Sequence, residues 1–225
     1  MAIIVLDGID GSGKSTQYEK LCACFAAHGL PYRSLTFPNY GHPSCTLVDL
    51  YLSGALGEHP SDINAYASSS FYACDRFVSY QQDWSKDYHA GKTLLMARYS
   101  TSNLTHQMVK LPKDQWDEFI RWSMDYEHVR LGLPKPDLVI FLDMQPETSR
   151  RLLSHRYQGD ESKRDLHEAD FAYLMACRTS GLYAAEKLGW QVISCCDGLE
   201  PYPIETIFQQ VKECVNLSHL IPERL

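Results

Sequence analysis

The chain of 225 residues has no apolar run near the roughly 20 residues that a transmembrane helix needs, so we expect no membrane association. It also lacks repeats, low-complexity stretches and Pro/Gly/Ser-rich linkers, which predicts a single domain over residues 1–225. Positive charge is scarce, with 21 Lys and Arg against 28 Asp and Glu. Binding to a nucleic-acid backbone needs a basic face, so no nucleic-acid partner is expected, and an anionic ligand requires a local cluster of cations.

The eight cysteines are scattered along the chain, and no two of them form a Cys-x-x-Cys pair. A chain of this length buries enough surface on folding to need neither disulfides nor a structural metal. We therefore predict reduced thiols in a cytoplasmic protein, and we expect no zinc site.

Short apolar runs alternate with longer helical segments. The sequence predicts strands at 2–6, 32–37, 93–97, 137–142 and 190–194, and helices at 14–28, 63–86, 147–155, 168–188 and 204–215. Such alternation is typical of an α/β fold, here a three-layer α/β/α sandwich around a five-stranded parallel sheet. Functional residues are then expected just after the strands.

A phosphate-binding loop directly follows the first predicted strand. Residues 8–16 fit the pattern G-x-x-x-x-G-K-[ST] and precede a predicted helix, which indicates a P-loop NTPase-type fold. Lys14 is placed to neutralise the β- and γ-phosphates, and the Ser15 hydroxyl to bind Mg²⁺. The predicted ATP-binding residues are Gly8, Ile9, Asp10, Gly11, Ser12, Gly13, Lys14, Ser15 and Thr16.

Three classes of P-loop protein are open at this point: small-molecule kinases, GTPases and ATPase motors. The chain has no Asn-Lys-x-Asp segment, which GTPases use to read guanine. ATPase motors carry a Walker B segment, an apolar strand that ends in an aspartate. The segment ending at Asp143 (DLVIFLD) matches this pattern only in part. A chain of 225 residues suits a kinase with a small acceptor.

Further segments, taken in order, resemble the thymidylate kinases, which transfer a phosphoryl group from ATP to dTMP. These segments are DGIDGSGKST, Phe37-Pro38-Asn39-Tyr40, Tyr72-Ala73-Cys74-Asp75-Arg76, Ala97-Arg98-Tyr99-Ser100-Thr101-Ser102-Asn103 and GLPKPDLVIFLD. The resemblance extends from Asp7 to about Tyr183. It implies Mg-ATP as the donor, dTMP as the acceptor and a homodimer.

The resemblance also implies roles for single residues in binding dTMP. Tyr72 would stack on thymine, and Arg76, one helical turn later, would bind the acceptor phosphate. Without the resemblance, a core aromatic and a surface ion pair would be the better explanation of these two residues. Asn103 would read the thymine edge, with helix capping as the alternative. Asp10 would bind the 3′-hydroxyl of the deoxyribose. The predicted dTMP-binding residues are Asp10, Phe37, Tyr40, Tyr72, Arg76, Arg98, Ser102 and Asn103.

A basic segment between two predicted helices is the local cation cluster that the net charge requires. It holds Arg150, Arg151, Arg156, Lys163 and Arg164, and we predict a lid at about residues 154–167. Family members without an arginine in the P-loop supply one from the lid, which makes Arg156 and Arg164 the candidates here; a solvated charged loop is the alternative. The predicted catalytic residues are Lys14, Arg98, Arg156 and Arg164.

One position departs from the family pattern. Ala97 stands where the family usually has an aspartate that orients Mg²⁺ and its water ligands. Either Asp7, Asp10 or Asp143 replaces that carboxylate, or the metal relies on Ser15, phosphates and water. Two other functions remain open: a P-loop kinase for a deoxynucleoside or another monophosphate, and a regulatory nucleotide-binding protein that has lost the transfer chemistry.

Overall fold

The computed structural model of the chain describes residues 2–156, 158, 160, 167 and 170–218, apart from the side chains of Arg156 and Leu217. Its strands are β1 (Ile3–Asp7), β2 (Tyr32–Thr36), β3 (Thr93–Ala97), β4 (Leu138–Asp143), β5 (Gln191–Ser194), β6 (Cys196–Asp197) and β7 (Glu200–Pro201). Its α-helices are α1 (Lys14–Ala27), α2 (Thr46–Leu52), α3 (Ala65–Ser79), α4 (Ser85–His89), α5 (Thr101–His106), α6 (Trp116–Asp125), α7 (Pro146–Arg156), α8 (Phe171–Leu188) and α9 (Ile204–Leu217).

Five parallel strands form the central sheet in the order β2-β3-β1-β4-β5, which confirms the predicted α/β fold. β1 is central and completely buried, as its apolar sequence predicts. Its alternate residues face two separate cores: Ile4 and Leu6 pack with α1 and α9, whereas Ile3 and Val5 pack with residues of the opposite face.

Helix α8 lies unusually close to β4, and a glycine allows this approach. A Cβ atom at Gly181 would lie 2.5 Å from two ring atoms of Phe141. No side chain fits at that distance, so the absence of one lets the helix backbone pack directly on the strand. This contact fixes α8 beside the C-terminal end of the sheet.

The predicted strands and helices agree with the structure to within a few residues, but the segment between β3 and β4 was not predicted to be helical. It contains α5 and α6, and a π-helical turn at Tyr126–Arg130 that follows α6 directly. α6 buries Trp116, Phe119 and Ile120, which are spaced as one face of a helix. The predicted helix 63–86 is interrupted by a second π-helical turn, Tyr80–Trp84.

All eight cysteines are free thiols, several of them buried. Within the part of the chain that the structure describes, no helix has both the length and the apolar character needed to cross a membrane.

Candidate active site

The phosphate-binding loop connects β1 to α1, as the pattern predicts. Gly13 adopts a left-handed conformation (φ 87°) immediately before α1, and the backbone amide of Ser12 donates to the carbonyl of Ile9 at 3.2 Å. The loop therefore curls in front of the helix N-terminus, where backbone N–H groups and the helix dipole favour an anion.

Contacts with α7 hold the loop in place. A Cβ atom at Gly11 (φ +75°) would come within 2.9 Å of Ser149 and Leu153. The Ser149 hydroxyl also donates to the carbonyl of Asp10. Glycine at position 11 is therefore required both by the backbone conformation and by the packing.

Lys14 lies inside the curl of the loop. Its side chain is buried, and Nζ donates to the carbonyls of Gly8 (2.9 Å) and Ile9 (2.6 Å). These contacts place the ammonium group in the cradle that the loop forms. Ser15 and Thr16, the next two residues of the loop motif, are exposed on the first turn of α1.

A single pocket beside the loop contains all eight of the predicted dTMP-binding residues, namely Asp10, Phe37, Tyr40, Tyr72, Arg76, Arg98, Ser102 and Asn103. They come from the phosphate-binding loop, the segment after β2, helix α3, and the end of β3 with α5. The pocket is also lined by Pro38, Leu52, Tyr99, His106, Gln107 and His167. The roles of the eight in binding remain predictions.

Arg98 connects this pocket to the phosphate-binding loop. Its guanidinium pairs with the carboxylate of Asp10, lies 3.8 Å from Asp7, and donates to Nε2 of His106 at 2.9 Å. Arg98 has a left-handed backbone (φ 63°), a conformation that is uncommon for non-glycine residues and is found clustered at functional sites. Burial acts against ionisation of Asp10, but the charges of Arg98 and Lys14 outweigh it and hold the pKa of Asp10 well below its usual value.

Asp7 is a buried hub between β1 and α5. Its carboxylate accepts hydrogen bonds from the hydroxyls of Thr101 and Ser102 and from the backbone amide of Gly8 (2.8 Å). The last residue of β1 thus fixes the start of the phosphate-binding loop and the first turn of α5 together.

Arg76 is engaged in an ion pair inside the protein. Its Nε and Nη2 atoms donate to the two carboxylate oxygens of Glu127, each at 2.7 Å, and both side chains are almost completely buried. Burial lowers the pKa of Arg76, but the carboxylate of Glu127 outweighs it and raises this pKa above the usual value. The pair also contacts Asn103, whose Nδ2 donates to Glu127 at 2.9 Å. Asn103 is therefore not a helix cap.

Removing one member of this buried pair should destabilise the fold. Arg76→Met leaves the Glu127 carboxylate without its counter-ion, and we expect the free energy of unfolding to fall by about 3–5 kcal/mol. Urea unfolding followed by circular dichroism measures this loss. Arg130→Met is the control, because Arg130 pairs with Asp125 on the exposed surface. Equal stability of the two variants would contradict a structural role for the Arg76–Glu127 pair.

Two histidines lie parallel on another wall of the pocket. The rings of His106 and His167 stack with their centroids 5.7 Å apart, and Nε2 of His167 is 2.8 Å from the hydroxyl of Tyr51. Burial lowers the pKa of His167 to about 3, and burial together with the charge of Arg98 lowers the pKa of His106 well below its usual value. Both rings are thus neutral at pH 7, so His106 accepts the hydrogen bond from Arg98.

Most of the predicted basic lid lies outside the residues that the structure describes. Arg164 lies outside the described residues, as does Lys163, and only the backbone of Arg156 is described, at the end of α7. Two cations of the cluster are engaged elsewhere: Arg150 lies over the ring of Phe171, and Arg151 pairs with Glu200.

The three carboxylates considered as replacements for the missing aspartate all have partners. Asp7 accepts the hydrogen bonds described above, Asp10 pairs with Arg98, and Asp143 forms a bidentate pair with Arg178 on α8 (2.6 and 2.9 Å). No group of three or more His, Cys, Asp or Glu side chains suited to a metal occurs among the described residues. This donor set fits Mg²⁺ held mainly by phosphate and water, with the exposed Ser15 hydroxyl as the protein ligand.

Glu127, His106 and His167 were not identified from the sequence. His106 lies four residues after Ser102 on α5, a spacing that places both on one helix face and could have revealed it. Glu127 has no local signature, because its partners lie 51 and 24 positions away in the sequence.

Comparison with known proteins agrees with this architecture. The family model for thymidylate kinases matches residues 6–200. A thymidylate kinase from Mycobacterium tuberculosis is 32% identical over 187 residues, covering 81% of this chain and 84% of the relative. One from Arabidopsis thaliana is 26% identical over 219 residues, covering 95% and 73% respectively. The structure of thymidylate kinase from Candida albicans superimposes with a TM-score of 0.69 at 19% identity, covering 97% of this chain and 92% of that one, so it shares the fold.

The family model covers most of the chain, and it includes the phosphate-binding loop, Arg98 and the other residues that line the pocket described above. The chain therefore belongs to the thymidylate kinase family.

Proposed function

We propose that this protein transfers the γ-phosphoryl group of ATP to dTMP, with Mg²⁺ as the cofactor. One observation carries the proposal: the predicted acceptor residues line a single pocket that meets the phosphate-binding loop at the Asp10–Arg98 pair. A donor phosphate chain in the loop and an acceptor phosphate at the inner end of the pocket would then face each other across Arg98.

In this reaction the protein positions two anions and neutralises their charge. Lys14 would bind the β- and γ-phosphates, Arg98 would bind the acceptor phosphate, and Phe37, Tyr40 and Tyr72 would enclose the sugar and base. When bound, Mg²⁺ supplies further neutralisation of the donor phosphates, with Ser15 as its protein ligand. The acceptor phosphate is already ionised, so the transfer needs no general base.

Other parts of the proposal rest on the family resemblance. Arg156 and Arg164 would complete the charge neutralisation from a lid at about residues 154–167. The protein would act as a homodimer in the cytoplasm, where its eight free cysteines stay reduced. The resemblance implies that Arg76 binds the acceptor phosphate. Its bidentate pair with Glu127 instead favours a role for Arg76 beside Asn103 and the base of the acceptor.

Measurement of ADP release in the presence of dTMP, dUMP, dCMP, dGMP or thymidine tests the proposal. We expect turnover with dTMP and none with thymidine, which lacks the accepting phosphate. Turnover with thymidine would identify a nucleoside kinase instead. Binding of ATP and dTMP without ADP release would identify a regulatory protein.

The substitution Ala97→Asp should lower the Mg²⁺ concentration needed for half-maximal activity, while kcat at saturating Mg²⁺ rises or stays the same. Ala97 is the last residue of β3, and its side chain lies on the same face of the sheet as that of Leu95, which packs in the core that contains α1. A carboxylate at position 97 would therefore point towards α1, the helix that carries Ser15. A Mg²⁺ titration of activity measures the change. A large loss of activity would mean that the site is built around the methyl group.

A further inference from the structure

Glu127 is a buried carboxylate in a turn whose other residues are half-buried or exposed. It lies in the π-helical turn Tyr126–Arg130 and is completely buried, whereas Val129 and Arg130 of the same turn are exposed. π-Helical turns occur often at functional sites. Here the turn directs the carboxylate beneath the acceptor pocket, against two residues that line it, Arg76 and Asn103.

The contacts of Asn103 determine which way its amide points. The Nδ2 atom donates to two acceptors, the backbone carbonyl of Ser69 (3.2 Å) and Oε1 of Glu127 (2.9 Å). A carbonyl has no proton to donate, and the carboxylate of Glu127 already accepts two hydrogen bonds from Arg76. The reversed amide would place Oδ1 against these acceptors, so only the observed orientation is compatible with them.

With both Nδ2 protons engaged, Asn103 can offer only its carbonyl oxygen to a ligand. Thymine and uracil carry a proton on N3, which such an oxygen accepts. Cytosine has a lone pair at N3 instead, and two acceptors facing each other leave both groups without a partner in a buried site.

We propose that Glu127 is a positioning residue that fixes the amide of Asn103, and that the pocket thereby selects pyrimidine monophosphates with a proton on N3. This inference rests on the proposed function and deepens it, because it names the group that sets base selectivity. Glu127 acts through Asn103 and contacts no substrate itself.

The unmodified protein gives the first test. We expect kcat/KM for dTMP and dUMP to exceed that for dCMP by on the order of 10²-fold or more, since a buried polar group left unpaired is strongly disfavoured. dTMP methylated at N3 should likewise bind at least tenfold more weakly than dTMP in calorimetry. Use of dCMP as efficiently as dUMP, or undiminished binding of the methylated nucleotide, would overturn the proposal.

Glu127→Gln tests the residue itself. The glutamine amide can donate to Asn103, so the reversed amide meets only one opposing acceptor, the carbonyl of Ser69, instead of two. The reversed orientation is then less disfavoured, and the ratio of kcat/KM for dTMP to that for dCMP should fall at least tenfold. The ratio is measured in one preparation and does not depend on the folded fraction. Glu118→Gln, on the exposed surface of α6, is the matched control and should keep the ratio. Glu127→Asp retains the acceptor and should retain most of the selectivity.

The outcomes separate this inference from the proposed function. An unchanged ratio in an active Glu127→Gln variant would refute the role of Glu127 and leave the kinase assignment intact. Absence of turnover with every acceptor would refute the proposed function, and equal affinity for dTMP and dCMP in calorimetry would refute the inference separately. If Glu127→Gln does not fold, equal use of dTMP and dCMP by the unmodified protein would still refute the inference.

Discussion

Lys14→Ala should lower kcat for phosphoryl transfer by about 10³-fold or more, in line with the loss of a main cation from a phosphoryl-transfer site. The Lys14 ammonium lies within the curl of the loop, held by the carbonyls of Gly8 and Ile9, where donor phosphates would bind. The protein is acidic overall, so no diffuse positive field compensates for the loss. Steady-state ADP release with saturating ATP and dTMP measures the effect.

The matched control is Lys20→Ala. Lys20 is on the same helix but pairs with Glu205 at the surface, and its removal should leave kcat unchanged. Thermal melts of both variants should show that each is folded at the assay temperature. Turnover of Lys14→Ala close to that of the unmodified protein would refute the assignment of the phosphate-binding loop.

Arg98→Ala should lower kcat/KM for dTMP by about 10²- to 10³-fold, with a much smaller change in the KM for ATP. The substitution removes the guanidinium between the phosphate-binding loop and the acceptor pocket and leaves Asp10 and Asp7 without its charge. An acceptor dianion would then face uncompensated carboxylates. Initial rates over a matrix of ATP and dTMP concentrations separate the two constants.

Arg98→Lys should restore little of this loss, because a lysine cannot reproduce the fork by which Arg98 contacts both Asp10 and His106. Arg130→Ala, which removes an exposed arginine, is the control and should leave both constants unchanged. Equal increases in the two KM values of Arg98→Ala would contradict its place at the acceptor.

The parts of this molecule that could be predicted from the sequence are those with a local pattern. The apolar run of β1, the glycines before Lys14 and the four-residue spacing of Tyr72 and Arg76 each depend on neighbours in the chain. The first two predicted the sheet and the phosphate-binding loop, whereas the residues proposed to bind dTMP came from the family resemblance, and their roles stay predictions. The periodic apolar residues of α6 were a local pattern as well, and they were overlooked.

What could not be predicted depends on contacts between distant segments. Arg76 has the same local sequence whether its partner is water, a ligand or a carboxylate. Glu127, which pairs with it, lies in a π-helical turn that no local spacing reveals. The partners of Asp7, Asp10 and Asp143 are likewise set by the tertiary fold. The sequence could therefore list these carboxylates as metal ligands but could not show that each is already engaged.

In the proposed function Asp10 would belong to two substrate sites at once, to the donor loop through its backbone and to the acceptor pocket through its pairing with Arg98. A shift of the loop backbone when one nucleotide binds would then move the charge that faces the other. Thermodynamic linkage makes such an influence mutual: the factor by which ATP alters the affinity for dTMP equals the factor by which dTMP alters the affinity for ATP. A single carboxylate would thus give the two binding equilibria a common coupling free energy.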